Sequence, residues 1–342
     1  MLAYGRKYKL YVVQPRLIQK HISATGYDTG NNNIIQNKEN QQIQSFIVPN
    51  GYTDMLTLYD GSLLVENPIQ LEATIEYGSG GSGTPQTCEI KLYNLNDEYV
   101  KGIKSQYTLM LEAGYESLHG DNLPMLYLGT IATVKTEDMF PNKVTTITCT
   151  ETNVKKDVQY IRTFMLGDLY DYVLLDMADK FAENGIPTGR ILGNNKTKTS
   201  LGETISFSGN LSQQLTDVCN AIGFVWFISK GKLYIQSKTE DRIQDFFEIA
   251  AENVVGNLAQ TDSKTPATTN ADTKSSAPVG ITGKVFLAPD LDLAQLIKVN
   301  FGQYEGTYKP SRIRHNLNWK NGPWQTEFES QAVNNLTLNQ NI

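Results

Sequence analysis

Short runs that alternate apolar and polar residues, each closed by a glycine-, asparagine-, aspartate- or proline-bearing turn, occupy two blocks of this chain on either side of a helical segment. The first block holds IQLEATIEY (69–77), TCEIKLYNL (87–95), YTLMLEAGY (107–115), MLYLGTIATVKTE (125–137) and KVTTITCTET (143–152), preceded by KYKLYVV (7–13) and QSFIV (44–48). The second holds GKVFLAPDL, LIKVNF, GTYKPSRIRHNLNW and PWQTEFESQAV. Alternation with period two sends successive side chains to opposite faces of a strand, and turn residues at this spacing mark antiparallel barrels or sandwiches. The pattern predicts a mainly β fold with a small α+β part: two antiparallel β-barrel-like domains with an inserted α+β domain. The boundaries fall at 1–154 for the first barrel with an N-terminal arm, 155–245 for the α+β domain, and 246–342 for the second barrel, which includes a linker at 259–278.

The insertion is marked by a change of period. Leu166, Leu169, Tyr170, Val173, Leu174, Met177, Ala178 and Phe181 recur at three- and four-residue spacing, with Gly185 where a helix would end. A second helix is expected through Leu211, Leu215, Val218, Cys219 and Ile222, capped by Ser208 or Asn210 and stopped by Gly223. FVWFIS and KLYIQS then flank Lys230-Gly231, a tight hairpin turn.

Three stretches lack the apolar residues a core needs. Residues 31–44 are mostly Asn and Gln and predict a loop or arm, and residues 259–278 contain no Val, Ile, Leu, Met or aromatic residue and predict a long surface loop. GSGGSGT (78–84) predicts a flexible hairpin tip; a phosphate loop would need a following Lys-Ser/Thr and helix, and neither is there.

With 342 residues the chain has room for two or three cores and needs neither metal nor disulfide to fold. Its net charge of -6 is mild and its Lys and Arg are scattered, which argues against tight nucleic-acid binding. The opening MLAYGRKYKLYVVQPRL lacks a signal-peptide core, and no apolar run approaches the roughly 20 residues of a membrane helix, so a soluble chain without an export signal is expected. Cys88, Cys149 and Cys219 form no C-x-x-C pair and sit in apolar patterns, the usage of a reducing compartment.

No residue is assigned a catalytic, cofactor-binding or metal-binding role. His21, His119 and His315 are far apart and form no ligand set. The acidic pairs Asp97-Glu98, Glu240-Asp241 and Asp290 with Asp292 have the spacing of solvated or capping acids in turns more than that of a hydrolase's carboxylates. Trp226, Trp319 and Trp324 lie in strand-like stretches, where burial is commoner than sugar stacking. Lys7, Lys9, Arg16 and Lys20 fit a solvated strand edge.

Four stretches, in order, resemble the hub proteins at the centre of contractile phage baseplates, a family that includes late-control-type and PBSX-like tail proteins and the hub portion of VgrG spikes. They are EIKLYNLNDEYVKGI with YTLMLEAGY and LYLGTIATVKTE; ISFSGNLSQQLTDVCNAIGFVWFISKGKLYI; GKVFLAPDLDLAQLIKV; and GTYKPSRIRHNLNWKNGPWQTEFES. The resemblance spans most of residues 87–330 and rests on the order of these motifs, none of which is catalytic. It implies a structural, non-enzymatic protein without cofactor, a homotrimer whose two barrels per chain form a ring of six. Such a ring adapts a hexameric tail tube to a trimeric spike or central needle protein, touches other baseplate proteins, and lines a channel through which DNA passes in transit. It also implies a place in the virion tail baseplate after synthesis in the host bacterial cytoplasm. The chain stops soon after its second β-block, so spike and wall-degrading roles are expected on separate chains. The alternatives are a tail-tip cell-wall hydrolase and a receptor- or carbohydrate-binding tail protein.

Overall fold

The computed structural model describes residues 5–13, 58–59, 62–66, 69–78, 86–120, 122–151, 158–191, 197–237, 245–261 and 280–333. The expected strand at 44–48, the arm at 31–44 and all but the first residue of GSGGSGT lie outside the described residues. The chain is mainly β with a small α part, and it divides into two compact units.

The first unit comprises residues up to Ile75, Thr87–Thr152 and Asn316–Trp324. In chain order its elements are β1 (Arg6–Val13), β2 (Leu58–Tyr59), β3 (Ser62–Glu66), β4 (Leu71–Tyr77), β5 (Thr87–Tyr93), α1 (Asp97–Gly102), β6 (Thr108–Tyr115), α2 (Glu116–His119), β7 (Met125–Met139) and β8 (Asn142–Glu151). The strands hydrogen-bond in the order β4-β5-β8-β7-β6-β1-β3-β2. Alternation decides the faces: Leu71, Ala73, Ile75 and Tyr77 of β4 are buried while Glu72, Thr74 and Glu76 point away. The β5–β8 register sets Cys88 opposite Cys149 and Ile90 opposite Ile147, so their apolar faces coincide. Tyr8, Leu10, Leu109, Leu111 and Tyr127 complete a fully buried centre.

The segment that follows Leu317 bonds strands of this unit. Arg6 donates to the Asn318 carbonyl at 2.7 Å, and the Trp319 indole donates to the Arg6 carbonyl at 3.2 Å. The Trp324 indole donates to the Gly114 carbonyl at 3.2 Å, while the Tyr115 hydroxyl donates to the Trp324 carbonyl at 3.0 Å. Trp319 N in turn donates to Leu71 of β4 at 2.9 Å. These bonds fasten the Asn318–Trp324 segment to β1, β6 and β4 in addition to the strand ladders.

The second unit comprises Glu76–Gln86, Asn153–His315 and the residues from Gln325 onward. It contains β9 (Gln159–Phe164), α3 (Tyr170–Glu183), β10 (Thr188–Ile191), β11 (Ile205–Asn210), α4 (Leu211–Ile222), β12 (Phe224–Ser229), β13 (Lys232–Ser237), β14 (Phe246–Ile249), β15 (Ala259–Thr261), β16 (Gly280–Phe286) and β17 (Leu296–Val299). The last two strands, β18 (Gly306–Asn318) and β19 (Trp324–Ala332), give residues to both units. Within it the order β15-β16-β19-β18 makes one sheet, with β17 beside β18 and β14 parallel to β17.

The α+β part has its own apolar cluster, from Val158 to Ile235, in which α3 and α4 cover the β10-β13-β12 sheet. Phe181 packs on Trp226 at 5.6 Å between ring centroids, and Asp176 of α3 accepts from Tyr160 at 2.6 Å and from Arg162 at 2.9 Å. Asn210 caps α4 by accepting from the Ser212 and Gln213 amides, and Gly223 ends it at φ 75°. The Lys230-Gly231 turn has positive φ at both residues, the geometry that lets β12 and β13 pair without splaying.

Two expectations need correction. The apolar stripe from Leu166 does not start the helix there: Gly167 has φ 99°, the Met165 amide donates to Asp168 at 2.7 Å, and the resulting turn leaves Leu166 exposed while α3 begins at Tyr170. The loop 259–278 begins with a strand, because Ala259–Thr261 pair with Gly280–Thr282 through backbone bonds that need no apolar side chains; residues 262–278 lie outside the described residues.

His315 sits wholly buried on β18, its Nδ1 2.8 Å from Thr326 and its ring edge-on to Tyr77. Burial, with Lys230 adding to it, lowers its pKa from 6.5 to about 3, so the folded state holds it neutral. Below about pH 6.5 the unfolded chain binds a proton that the folded chain refuses until about pH 3, so stability falls as pH drops through that window. His315→Gln is expected to flatten this slope, as measured by urea midpoints at neutral and mildly acid pH. In the α+β part, Asn210→Ala is expected to cost about 1 kcal/mol and Phe181→Ala roughly 3–5 kcal/mol, both read from urea unfolding at pH 7.

Candidate functional site

The residues that carry chemistry are dispersed. His119 lies in α2 with its Nδ1 3.1 Å from the Tyr115 amide, His315 is in the core, and His21 is outside the described residues. Asp97 opens α1 and pairs with Lys143, while Asn96 accepts from the Glu98 amide. Asp292 accepts from Ser229 at 2.7 Å and from the Ala294 amide at 3.1 Å, so it fastens a turn, and Asp290 follows Pro289, whose carbonyl accepts from Lys230. Glu240, Asp241, Arg16 and Lys20 are outside the described residues. Among the described residues no three His, Cys, Asp or Glu converge as a metal would require, and no helix is long and apolar enough to cross a membrane.

The aromatic and sulfur residues serve packing. Trp226 is in the α+β core, and Trp319 and Trp324 close the first unit, with the Arg6 guanidinium 5.9 Å from the Trp324 ring centre. Lys7 and Lys9 lie on β1, where Lys9 pairs in register with Glu112 of β6. All three cysteines are free and buried; burial raises the Cys88 thiol well above its ordinary value and Cys149 to about 12, so neither is a ready nucleophile.

The structure does assemble a charged face that the sequence reading missed. Glu76 of β4 is clamped between two guanidinium groups of β18: Arg312 Nε donates to one oxygen at 2.8 Å, and Arg314 donates twice to the other at 3.1 and 2.6 Å. Arg312 also reaches Glu329 of β19 at 3.1 Å, and Lys284 of β16 pairs with Glu327 at 2.7 Å. Partial burial opposes the Glu76 charge, but the two arginines outweigh it and hold its carboxyl below the usual range. The signal was present as Arg-Ile-Arg at 312–314 and Glu-Phe-Glu at 327–329, charges on the outward positions of alternating strands.

Lys284, Arg312, Arg314, Glu327 and Glu329, with Phe328, line an open cleft of ≈ 350 Å³. Three cations, Lys284, Arg312 and Arg314, are matched by three carboxylates, Glu76, Glu327 and Glu329, so the face is polar and locally neutral. It offers no surplus positive charge to hold a polyanion. Its ion pairs fasten β4, β16, β18 and β19 across strands.

The sequence matches no protein-family model and no curated protein. Solved structures do match. The tail protein from Neisseria meningitidis MC58 aligns over 77% of this chain and 95% of its own, with 11% identity and a TM-score of 0.51. An E. coli protein, c3393, described as a component of the type VI secretion system with structural similarity to T4 bacteriophage tail proteins gp27 and gp5, aligns over 78% of this chain and 74% of its own, at 8% identity and TM-score 0.50. A chain of a PdpA–VgrG complex in its lidless form aligns over 99% of this chain and 67% of its own, again at 8% identity and TM-score 0.50. The chain shares its fold with these phage tail and type VI secretion proteins.

Proposed function

We propose that this chain is a structural baseplate hub protein of a contractile phage tail or a related injection system. The observation that carries the reading is the fold shared with the Neisseria tail protein across 95% of that protein's length. It is supported by a described surface whose charged residues pair with one another across strands and by thiols and histidines taken up in packing. In this reading residues 1–154 and 246–342 supply the two barrels of each chain, with 155–245 as the α+β insertion. Three chains then present six similar barrels, which meet a hexameric tail tube on one face and a trimeric spike or central needle protein on the other. Ring closure also covers strand edges that otherwise invite aggregation.

The protein is then not an enzyme, and it works in the virion tail baseplate after synthesis in the host bacterial cytoplasm. Other baseplate proteins contact its periphery, and DNA passes through the channel without being held. The neutral pairing around Glu76 suits a surface beside a passing polyanion, since every arginine there already has a carboxylate.

Native mass measurement of the purified chain tests this directly. A species at three times the 38.2 kDa chain mass, which adds tube and spike subunits when they are mixed in, is the expected result. A monomer that ignores both, clears peptidoglycan or binds host glycan would displace the hub reading in favour of a tail-tip hydrolase or a receptor-binding tail protein.

A further inference from the structure

The β10-β13-β12 sheet has a second face, turned away from α3 and α4. Phe224, Trp226 and Ile228 of β12 enter the helix-covered core, so alternation sends Val225 and Phe227 to the other side. The β12–β13 register sets Val225 opposite Gln236 and Phe227 opposite Tyr234, and the two rings of the second pair stack with centroids 5.4 Å apart. On this face lies an open recess of ≈ 310 Å³, whose lining includes Val225, Phe227, Gln236, Leu293, Lys309 and Pro310. Its walls are fastened: Ser229 donates to Asp292 at 2.7 Å, and the Lys309 ammonium donates to the Ser237 carbonyl at 2.9 Å. The volume is at the lower end of the range that small-molecule pockets span.

Gln236 is the polar group whose bonding this recess leaves incomplete. The residue is 3% exposed. Its carboxamide makes one hydrogen bond among the described residues, a long one of 3.5 Å from Nε2 to the Leu293 carbonyl, and no donor there reaches its Oε1. A buried carbonyl oxygen without a donor is destabilising, and folded proteins rarely leave one so. The walls around it are apolar, and the Lys309 ammonium repels a cationic occupant, so the donor that fits is an uncharged O–H or N–H.

We propose that this recess binds a compact apolar ring carrying one uncharged hydrogen-bond donor, the chemistry of a phenol or an indole. The ring lies against Val225, Phe227, Leu293 and Pro310, and its donor goes to Gln236 Oε1. A free small molecule offers that chemistry, and so does a tyrosine or tryptophan side chain of a partner protein. The site is built within one chain, so it does not rest on the homotrimer, and its failure would leave that reading untouched.

Ligand-observed NMR on the full chain tests this, with p-cresol as the probe. p-Cresol is expected to receive saturation from the protein and to bind roughly fivefold more tightly than p-methylanisole, which has the same ring and no donor. Gln236→Met is expected to abolish that preference while p-methylanisole still binds, a pattern that an unfolded chain would not give. Val225→Trp, which fills the recess, is expected to exclude both probes with circular dichroism unchanged. N-Acetyltyrosinamide that displaces p-cresol assigns the site to a protein side chain, and its exclusion while p-cresol binds assigns the site to a free small molecule. No transfer to p-cresol, equal binding of the two probes by the parent chain, or binding that neither substitution alters overturns the proposal.

Discussion

Strand register on β4 and β18 is the constraint on which the rest depends. On β4, Leu71, Ala73, Ile75 and Tyr77 face inward and Glu72 and Glu76 outward; on β18, Ile313, His315 and Leu317 face inward and Arg312 and Arg314 outward. A slip of one residue would drive carboxylates and guanidinium groups into apolar surroundings and put leucine and isoleucine in water, a change far costlier than any single contact. The Glu76 clamp reinforces the correct alignment, since its two arginines are two positions apart on one face. Individual exposed ion pairs contribute at most about 1 kcal/mol, so the clamp selects a register that burial has already made favourable.

Elements whose own side chains determine them were legible in the sequence. Most of the long alternating strands, the α4 helix with its Asn210 cap and Gly223 stop, and the Lys230-Gly231 turn appear within a residue or two of where their chemistry places them, whereas the strand expected at GKVFLAPDL runs from Gly280 to Phe286. Elements set by a neighbour's backbone were not. β15 has no large apolar side chain and forms on the ladder β16 offers, and β9 hides Tyr160 and Phe164 beside Phe207 of β11. The false start of α3 at Leu166 shows the limit of periodicity: spacing cannot see that Gly167 takes a left-handed turn. The charged face escaped notice for a related reason, because Glu76 and its arginines are more than 230 residues apart in sequence and only the strand order brings them together.

The absence of a reactive constellation among the described residues has a physical counterpart in what the side chains do instead. Polar groups that would serve as acid, base or ligand in an enzyme are spent on fastening: Asp176 to Tyr160 and Arg162, Asp292 to Ser229, Asn94 to the β7–β8 turn.

The ties made by Trp319 and Trp324 have a consequence for biosynthesis. The Trp319 indole bonds a residue 313 positions upstream, and the first unit lacks these anchors until the ribosome has delivered the β18–β19 turn. Strands β1 to β8 therefore emerge long before their seal does, and their inward faces must stay unaggregated through most of translation. The bonds of Trp319 and Trp324 to β1 and β6 can form only once nearly the whole chain has been made.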